Sequence, residues 1–187
     1  MNTELQNAVK HLLRGDIIMY PTDTIWGIGC DATNAKAVDK VYSAKNRTES
    51  KSMIVLLSDY HQLGHYIEII PSTTAALIES IDKPLTIIYD GAKNLAPNLI
   101  ASDGTIAIRI VKHDFCKALI QRLGKPIVST SANISGSPSP LFFNHIEDPI
   151  KKKVDYIVKL EQSYSGINKA STIIKLESNG RYTIIRE

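Results

Sequence analysis

A chain of 187 residues with 43% hydrophobic and 22% charged residues has the make-up of one globular domain. Folding at that size buries about 70% of the surface the unfolded chain exposes, so a stable core needs no staples. A net charge of +3 is too small for a protein that coats nucleic acid. No apolar run approaches the roughly 20 residues of a membrane-spanning helix. The start Met1 to Gln6 lacks a secretory pattern, and Cys30 and Cys116 give no disulfide framework, so the expected setting is cytoplasmic.

Leu5, Ala8, Val9, Leu12 and Leu13 recur at helical spacing, and Arg14-Gly15-Asp16 stops that helix before an apolar strand over 17–20. Pro21-Thr22-Asp23-Thr24 reads as a turn into a second short strand over 25–30. Ala35, Val38, Val41 and Tyr42 mark one face of a helix that ends near Lys45. A buried strand is expected over 53–57, a helix opened by Pro71 and Ser72 through Ile81, and strands over 85–89 and 106–110. A helix over 114–123 closes with Gly124, and a strand over 127–130 runs directly into a Ser/Asn loop. Past Pro140 the pattern weakens to strands over 156–158, 172–175 and 182–185. No repeat, low-complexity tract or linker divides the chain, and 1–187 reads as a single domain. Strands alternating with helices, with two strands close together early on, predict helices layered on a mixed sheet.

Two segments carry chemistry. Lys45-Asn46-Arg47 stands where a helix gives way to a loop, and Ser131-Ala132-Asn133 lies in a loop at a strand's carboxyl end. Arginine offers a planar fork to phosphate oxygens, lysine a mobile charge, and a tight Ser/Asn/Gly loop can turn backbone N–H groups toward anionic oxygen. Together they suit a triphosphate held at both ends. Arg109 stands within an apolar strand, where a guanidinium needs an anionic or hydrogen-bonding partner.

Other patterns carry less. Gly27-Ile28-Gly29-Cys30-Asp31-Ala32 matches a loosened dinucleotide fingerprint, but its glycines lie within an apolar stretch instead of at a strand-to-helix turn. His61 and His65 have the spacing of two metal ligands on a helix without a third partner, which favours a solvated face. Cys30 reads as a small buried residue, Trp26 as packing or a stacking surface, and Lys151-Lys152-Lys153 as a solvated helix end.

Tyr20 to Gly29, Lys45-Asn46-Arg47, Ile106 to Arg109, and Ser129 to Gly136 succeed one another in an order and spacing that resembles the YrdC-like family. Ser171 to Ile174 and Arg186 extend the resemblance over nearly the whole chain. It implies an α+β, three-layer YrdC/RibB-like fold, with a twisted mixed sheet flanked by helices around a concave basic cavity. It implies also a nucleotidyltransferase that makes threonylcarbamoyl-AMP and pyrophosphate from L-threonine, bicarbonate and ATP with Mg²⁺, for threonylcarbamoyladenosine in tRNA. Such a reaction needs no protein nucleophile, and its catalysis is chiefly positioning and electrostatics.

Residue by residue, the resemblance makes Thr24, Arg109, Ser171 and the backbone of Ser129 contacts for threonine. Lys45, Arg47 and Lys51 become the phosphate-side cations, with Lys45 and Arg47 carrying the catalytic charge. Thr105, Ser131, Asn133 and Ser139 become nucleotide contacts on two loops, and Arg186 a late arginine that closes on ATP. Two positions depart from the family's pattern. Leu56 stands where longer relatives carry a histidine near threonine, and Ala170 where many place a glutamate. The chain thus matches the short, single-domain branch, whose product passes to a tRNA-modifying transferase complex. A noncatalytic RNA-binding module of the same fold, or a paralogue that adenylates another acid, are the rival readings.

Overall fold

A computed structural model describes residues 1–46, 53–160, 162 and 169–187. Its described strands are β1 (Ile18–Tyr20), β2 (Gly27–Gly29), β3 (Ile54–Leu57), β4 (Leu85–Tyr89), β5 (Ile106–Ile110), β6 (Ile127–Ser131), β7 (Tyr156–Ile157), β8 (Thr172–Leu176) and β9 (Tyr182–Arg186). They form one sheet in the order β7-β1-β2-β6-β3-β5-β4-β8-β9. The pairs β1/β7, β3/β5 and β4/β8 are parallel and the remainder antiparallel, so the sheet is mixed, as expected.

Side-chain alternation along these strands sorts the interior into two clusters. Val55 and Leu57 of β3, Ile106 and Ile108 of β5, and Leu85 and Ile87 of β4 pack on one face. Helix α2 (Ala35–Ala44) covers that face through Val38, Val41 and Tyr42. The short helices α3 (Leu63–Tyr66) and α4 (Thr74–Ser80) add Leu63, Leu77 and Ile78 to it. On the other face, Ile18, Tyr20, Leu56 and Ile127 meet α1 (Asn2–Leu13) and α5 (Asp114–Leu123) through Leu5, Ala8, Leu12, Phe115 and Leu119. Helix α1 packs on α5 and on β1, and α5 packs on β3.

Several expectations shift at their edges. Helix α5 keeps its expected bounds because Gly124 adopts φ +71° and ends it in the left-handed region. Helix α4 starts at Thr74, since Pro71 to Thr73 form only a turn. Strand β2 is shorter than expected, because Thr22 Oγ1 donates to the Ile25 carbonyl at 2.7 Å and keeps Ile25 in the turn. Helices α3 and α6 (Asp148–Lys151) span four residues each, too few to show a period. Both cysteines are buried thiols outside any disulfide, and His61 and His65 are exposed.

The second glycine of β2 has a packing explanation. A Cβ on Gly29 would overlap the Val128 carbonyl of the neighbouring β6, which also accepts a 2.7 Å hydrogen bond from the Tyr20 hydroxyl. Glycine is needed for close backbone approach, not for a pyrophosphate.

Candidate active site

A cavity of about 200 Å³ is lined by residues of six strands. Strand residues in its walls are Gly27 of β2, Ser129, Thr130 and Ser131 of β6, Ile54 of β3, Arg109 of β5, Ile173 of β8 and Arg186 of β9. Thr24, Ile25 and Trp26 enter from the turn before β2, Ser139 from the loop after β6, and Ala170 and Ser171 from the approach to β8. Residues from nearly the whole length of the chain therefore meet in one hollow. The pleat sets Ser129 and Ser131 on one side of β6, and the turn before β2, the loop after β6 and the approach to β8 supply the rest of the rim.

Arg109 is 3% exposed, and its Nη2 lies 3.2 Å from Asp23 Oδ1. That contact is an ion pair whose angles do not make a hydrogen bond, because both Asp23 Oδ1 and Arg109 Nε remain without a hydrogen-bond partner. Asp23 Oδ2 is held in place by the Lys112 backbone N–H at 3.0 Å. A buried guanidinium with an unsatisfied donor, in a cavity, is an incomplete anion site.

Arg186 approaches from the opposite wall. Its Nε and Nη2 donate to the Ser171 carbonyl at 3.2 and 2.8 Å, and the Ser171 hydroxyl meets Thr86 Oγ1 at 2.8 Å. Loss of solvent and the nearby Arg109 charge pull the Arg186 guanidinium below the usual arginine range. Two cations close enough to repel across one hollow favour an anion between them.

Thr24 contributes the reverse polarity. Thr22 Oγ1 uses its proton on the Ile25 carbonyl, so in its 2.9 Å contact with Thr24 Oγ1 it accepts and Thr24 donates. The Thr24 oxygen then presents lone pairs to the cavity. A site with guanidinium donors and a hydroxyl acceptor fits a small zwitterion.

Residues 10–187 match a family model, Sua5/YciO/YrdC, described as "Telomere recombination". The chain belongs to the Sua5/YciO/YrdC family. It is similar to a protein of Pseudoalteromonas translucida named threonylcarbamoyl-AMP synthase, 33% identical over 177 residues that cover 93% of each chain. A protein of Idiomarina loihiensis with the same name is 31% identical over 175 residues, covering 92% of this chain and 93% of that one. The structure resembles P. abyssi Sua5 complexed with L-threonine, with a TM-score of 0.84 and 26% identity. That match covers 97% of this chain but 53% of the other, so this chain spans about half the length of that relative. E. coli YciO shares the fold at a TM-score of 0.84 and 23% identity, covering 100% of this chain and 90% of that one.

Within this Sua5/YciO/YrdC domain the expected site residues separate into groups. Thr24, Arg109, Ser129, Ser131, Ser139, Ser171 and Arg186 line the one cavity. Lys45 does not line it. Its side chain is buried beneath the Ser/Asn loop, where Nζ donates to the carbonyls of Ser131 and Asn133, the latter at 2.7 Å, and meets Asn133 Oδ1 at 3.4 Å. Asn133 turns its amide inward as well, donating to the carbonyls of Ile134 at 3.1 Å and Ser137 at 2.6 Å. Thr105 sits just before β5, at the opposite end of that strand from Lys112 and the Asp23 turn, with its hydroxyl donating to Asp103 Oδ1 at 2.7 Å. Arg47 and Lys51 lie outside the described residues.

Sequence reasoning missed Asp23, Thr22 and Thr86, which hold Arg109, Thr24 and Ser171. The turn Pro21-Thr22-Asp23-Thr24 was visible, but the partner each side chain would meet across the sheet was not. Leu56 is fully buried in the second cluster, in register with Arg109 and Ile127. Ala170 does face the cavity.

Proposed function

We propose that this protein is an L-threonylcarbamoyladenylate synthase, which condenses L-threonine, bicarbonate and ATP to threonylcarbamoyl-AMP and pyrophosphate. The observation that carries the reading is buried Arg109, with its free Nε, sharing a cavity with the acceptor oxygen of Thr24. The family and the relatives' name support the choice of substrate.

In this reading Arg109, steadied by Asp23, receives the threonine carboxylate, and Thr24 accepts from its amino group. Once that amino group is uncharged its nitrogen joins the bicarbonate carbon with loss of one water, and an oxygen of the resulting carbamate attacks the α-phosphorus of ATP as the bond to the leaving pyrophosphate breaks. Ser131 and the loop to Ser139 flank the nucleotide, Arg186 closes on it, and Lys45 sets the loop from below. Arg47 and Lys51 would add charge on the phosphate side. Holding the reactants in line and offsetting developing charge are the chief contributions such a site can make.

The cavity wall offers hydroxyls and guanidiniums, and no group of three or more His, Cys, Asp or Glu converges among the described residues. That donor set fits a Mg²⁺ ion carried on triphosphate oxygens, where it would offset the charge of the leaving pyrophosphate. The product would pass to a tRNA-modifying transferase. Among the described residues no helix is long and apolar enough to cross a membrane.

The test is a set of omissions: pyrophosphate release is measured with ATP and Mg²⁺, leaving out threonine or bicarbonate in turn. Release that needs both supports the synthase. Turnover with another acid in place of threonine favours a paralogous adenylating enzyme. RNA binding that weakens steeply with salt, without turnover, favours the binding module.

A further inference from the structure

The last strand changes face just before its arginine. On β8, Ile174 and Leu176 are buried in the first core cluster, whereas Ile173 lines the cavity beside Ser171. Strand β9 runs antiparallel to it, with Tyr182 opposite Leu176, Thr183 opposite Lys175 and Ile184 opposite Ile174. Tyr182 and Ile184 therefore share the core face. An uninterrupted ladder would next set Ile185 opposite Ile173 and Arg186 opposite Thr172, which would send the guanidinium to the core face as well. Instead the register slips between Ile173 and Ile174, and Arg186 stands opposite Ile173. Ile185 is the extra residue, 56% exposed and absent from the cavity wall.

We infer that this β-bulge is a positioning device that assigns Arg186 to the cavity. The inference rests on the proposed reading that the cavity takes the substrates' anionic groups. A bulge puts two residues of one strand against one of its partner, and so inverts the facing of every residue beyond it. In β9 the residue beyond it is the arginine, whose hydrogen bonds to Ser171 then fix it at the rim. On an edge strand this exposed, few other contacts could hold it there. In the proposed reading the anion met by Arg186 is a nucleotide phosphate, and the threonine carboxylate is the alternative that the kinetics distinguish.

Two variants test the device. Exchanging the pair, as I185R/R186I, places isoleucine at the cavity position and the arginine on the extra residue. It should raise the KM for threonine or for ATP by about 10- to 100-fold, as Arg186→Ala should, the size expected for losing a charge-assisted hydrogen bond. Which KM moves tells the carboxylate from the phosphate. Deleting Ile185 leaves arginine directly after Ile184, opposite Ile173 in a regular ladder, and both constants should stay within about threefold of wild type. An exchanged variant with wild-type constants, or a folded deletion variant as impaired as Arg186→Ala, overturns the inference. Register is read separately by oxidising cysteine pairs, since Cys30 and Cys116 are buried. Ile173→Cys should cross-link with Arg186→Cys and not with Ile185→Cys. The reverse pattern overturns the inference whatever the substrate, whereas the expected pattern in a protein without synthase turnover overturns only the proposed function.

Discussion

Lys45 Nζ donates to the Asn133 carbonyl at 2.7 Å, joining the end of α2 to the loop after β6 from below. The Lys45 carbonyl in turn accepts from the Ser135 backbone N–H at 2.9 Å, so one residue fastens the loop at two points. A charge used in this way shapes the nucleotide side of the cavity through the backbone it holds.

Lys45→Met should therefore impair both the fold and the reaction. Leaving loop carbonyls buried without donors should lower stability by about 1–3 kcal/mol, read by denaturant unfolding. Turnover should fall by ~10²-fold or more, because the loop no longer holds its geometry. Normal turnover in a folded variant would refute this role.

Arg109→Lys retains a charge but loses the fork, and should raise the threonine KM by at least about tenfold while changing the ATP KM far less. Asp23→Asn should shift the same constant in the same direction, by less, because it loosens Arg109 without removing it. Steady-state kinetics with each substrate varied in turn checks both variants. Equal effects on the two substrates would contradict the placement of Arg109.

The two glycines of β2 should respond differently to one methyl group. Gly29→Ala drives a Cβ into the Val128 carbonyl and should cost about 3 kcal/mol or more. At Gly27 the new Cβ would lie 3.1 Å from Ser129 Oγ and 3.5 Å from Thr22 Cγ2, neighbours that can give way. Gly27→Ala should therefore weaken substrate binding more than it weakens the fold. Thermal melts compared with threonine titrations separate the two.

Glu4 ties α1 to the strand beside it: its Oε2 accepts from the Tyr156 hydroxyl at 2.7 Å and the Lys159 backbone N–H at 2.8 Å. Burial works against the carboxylate, but the Lys159 amide, the Tyr156 hydroxyl and the Lys159 charge outweigh it and hold the group below its ordinary value of 4.5. A folded value below the unfolded one means the contribution is fully present above pH 4.5 and fades as pH falls through the folded value. Melting temperatures of wild type and Glu4→Gln should thus differ near neutrality and converge in acid. A gap that stays constant with pH would contradict this.

Most of the frame was legible in the sequence because its signals are local. Gly124 marks a helix end by its own backbone, and the apolar runs at 85–89 and 106–110 are strands by composition. The site was legible in a different degree. Arg109 stood out because a guanidinium in an apolar strand demands a partner, and the partner, Asp23, lies 86 residues earlier in a turn that looked ordinary. Lys45 read as a phosphate-side cation at a helix end, and its burial beneath the Ser/Asn loop depends on a loop path that no local pattern reveals. The slip before Arg186 is a relation between two strands, so a period-2 pattern in one of them does not disclose it.

The most direct test traces the carbon of bicarbonate. Labelled bicarbonate, L-threonine and ATP with Mg²⁺ are incubated with the protein, and the products are separated by mass. The label should appear in one compound that contains both threonine and AMP, and should vanish from it when Arg109 is replaced by alanine. ATP cleaved with no label joined to threonine, or a labelled product undiminished in the Arg109→Ala protein, would contradict the cavity as the place where the adenylate is made.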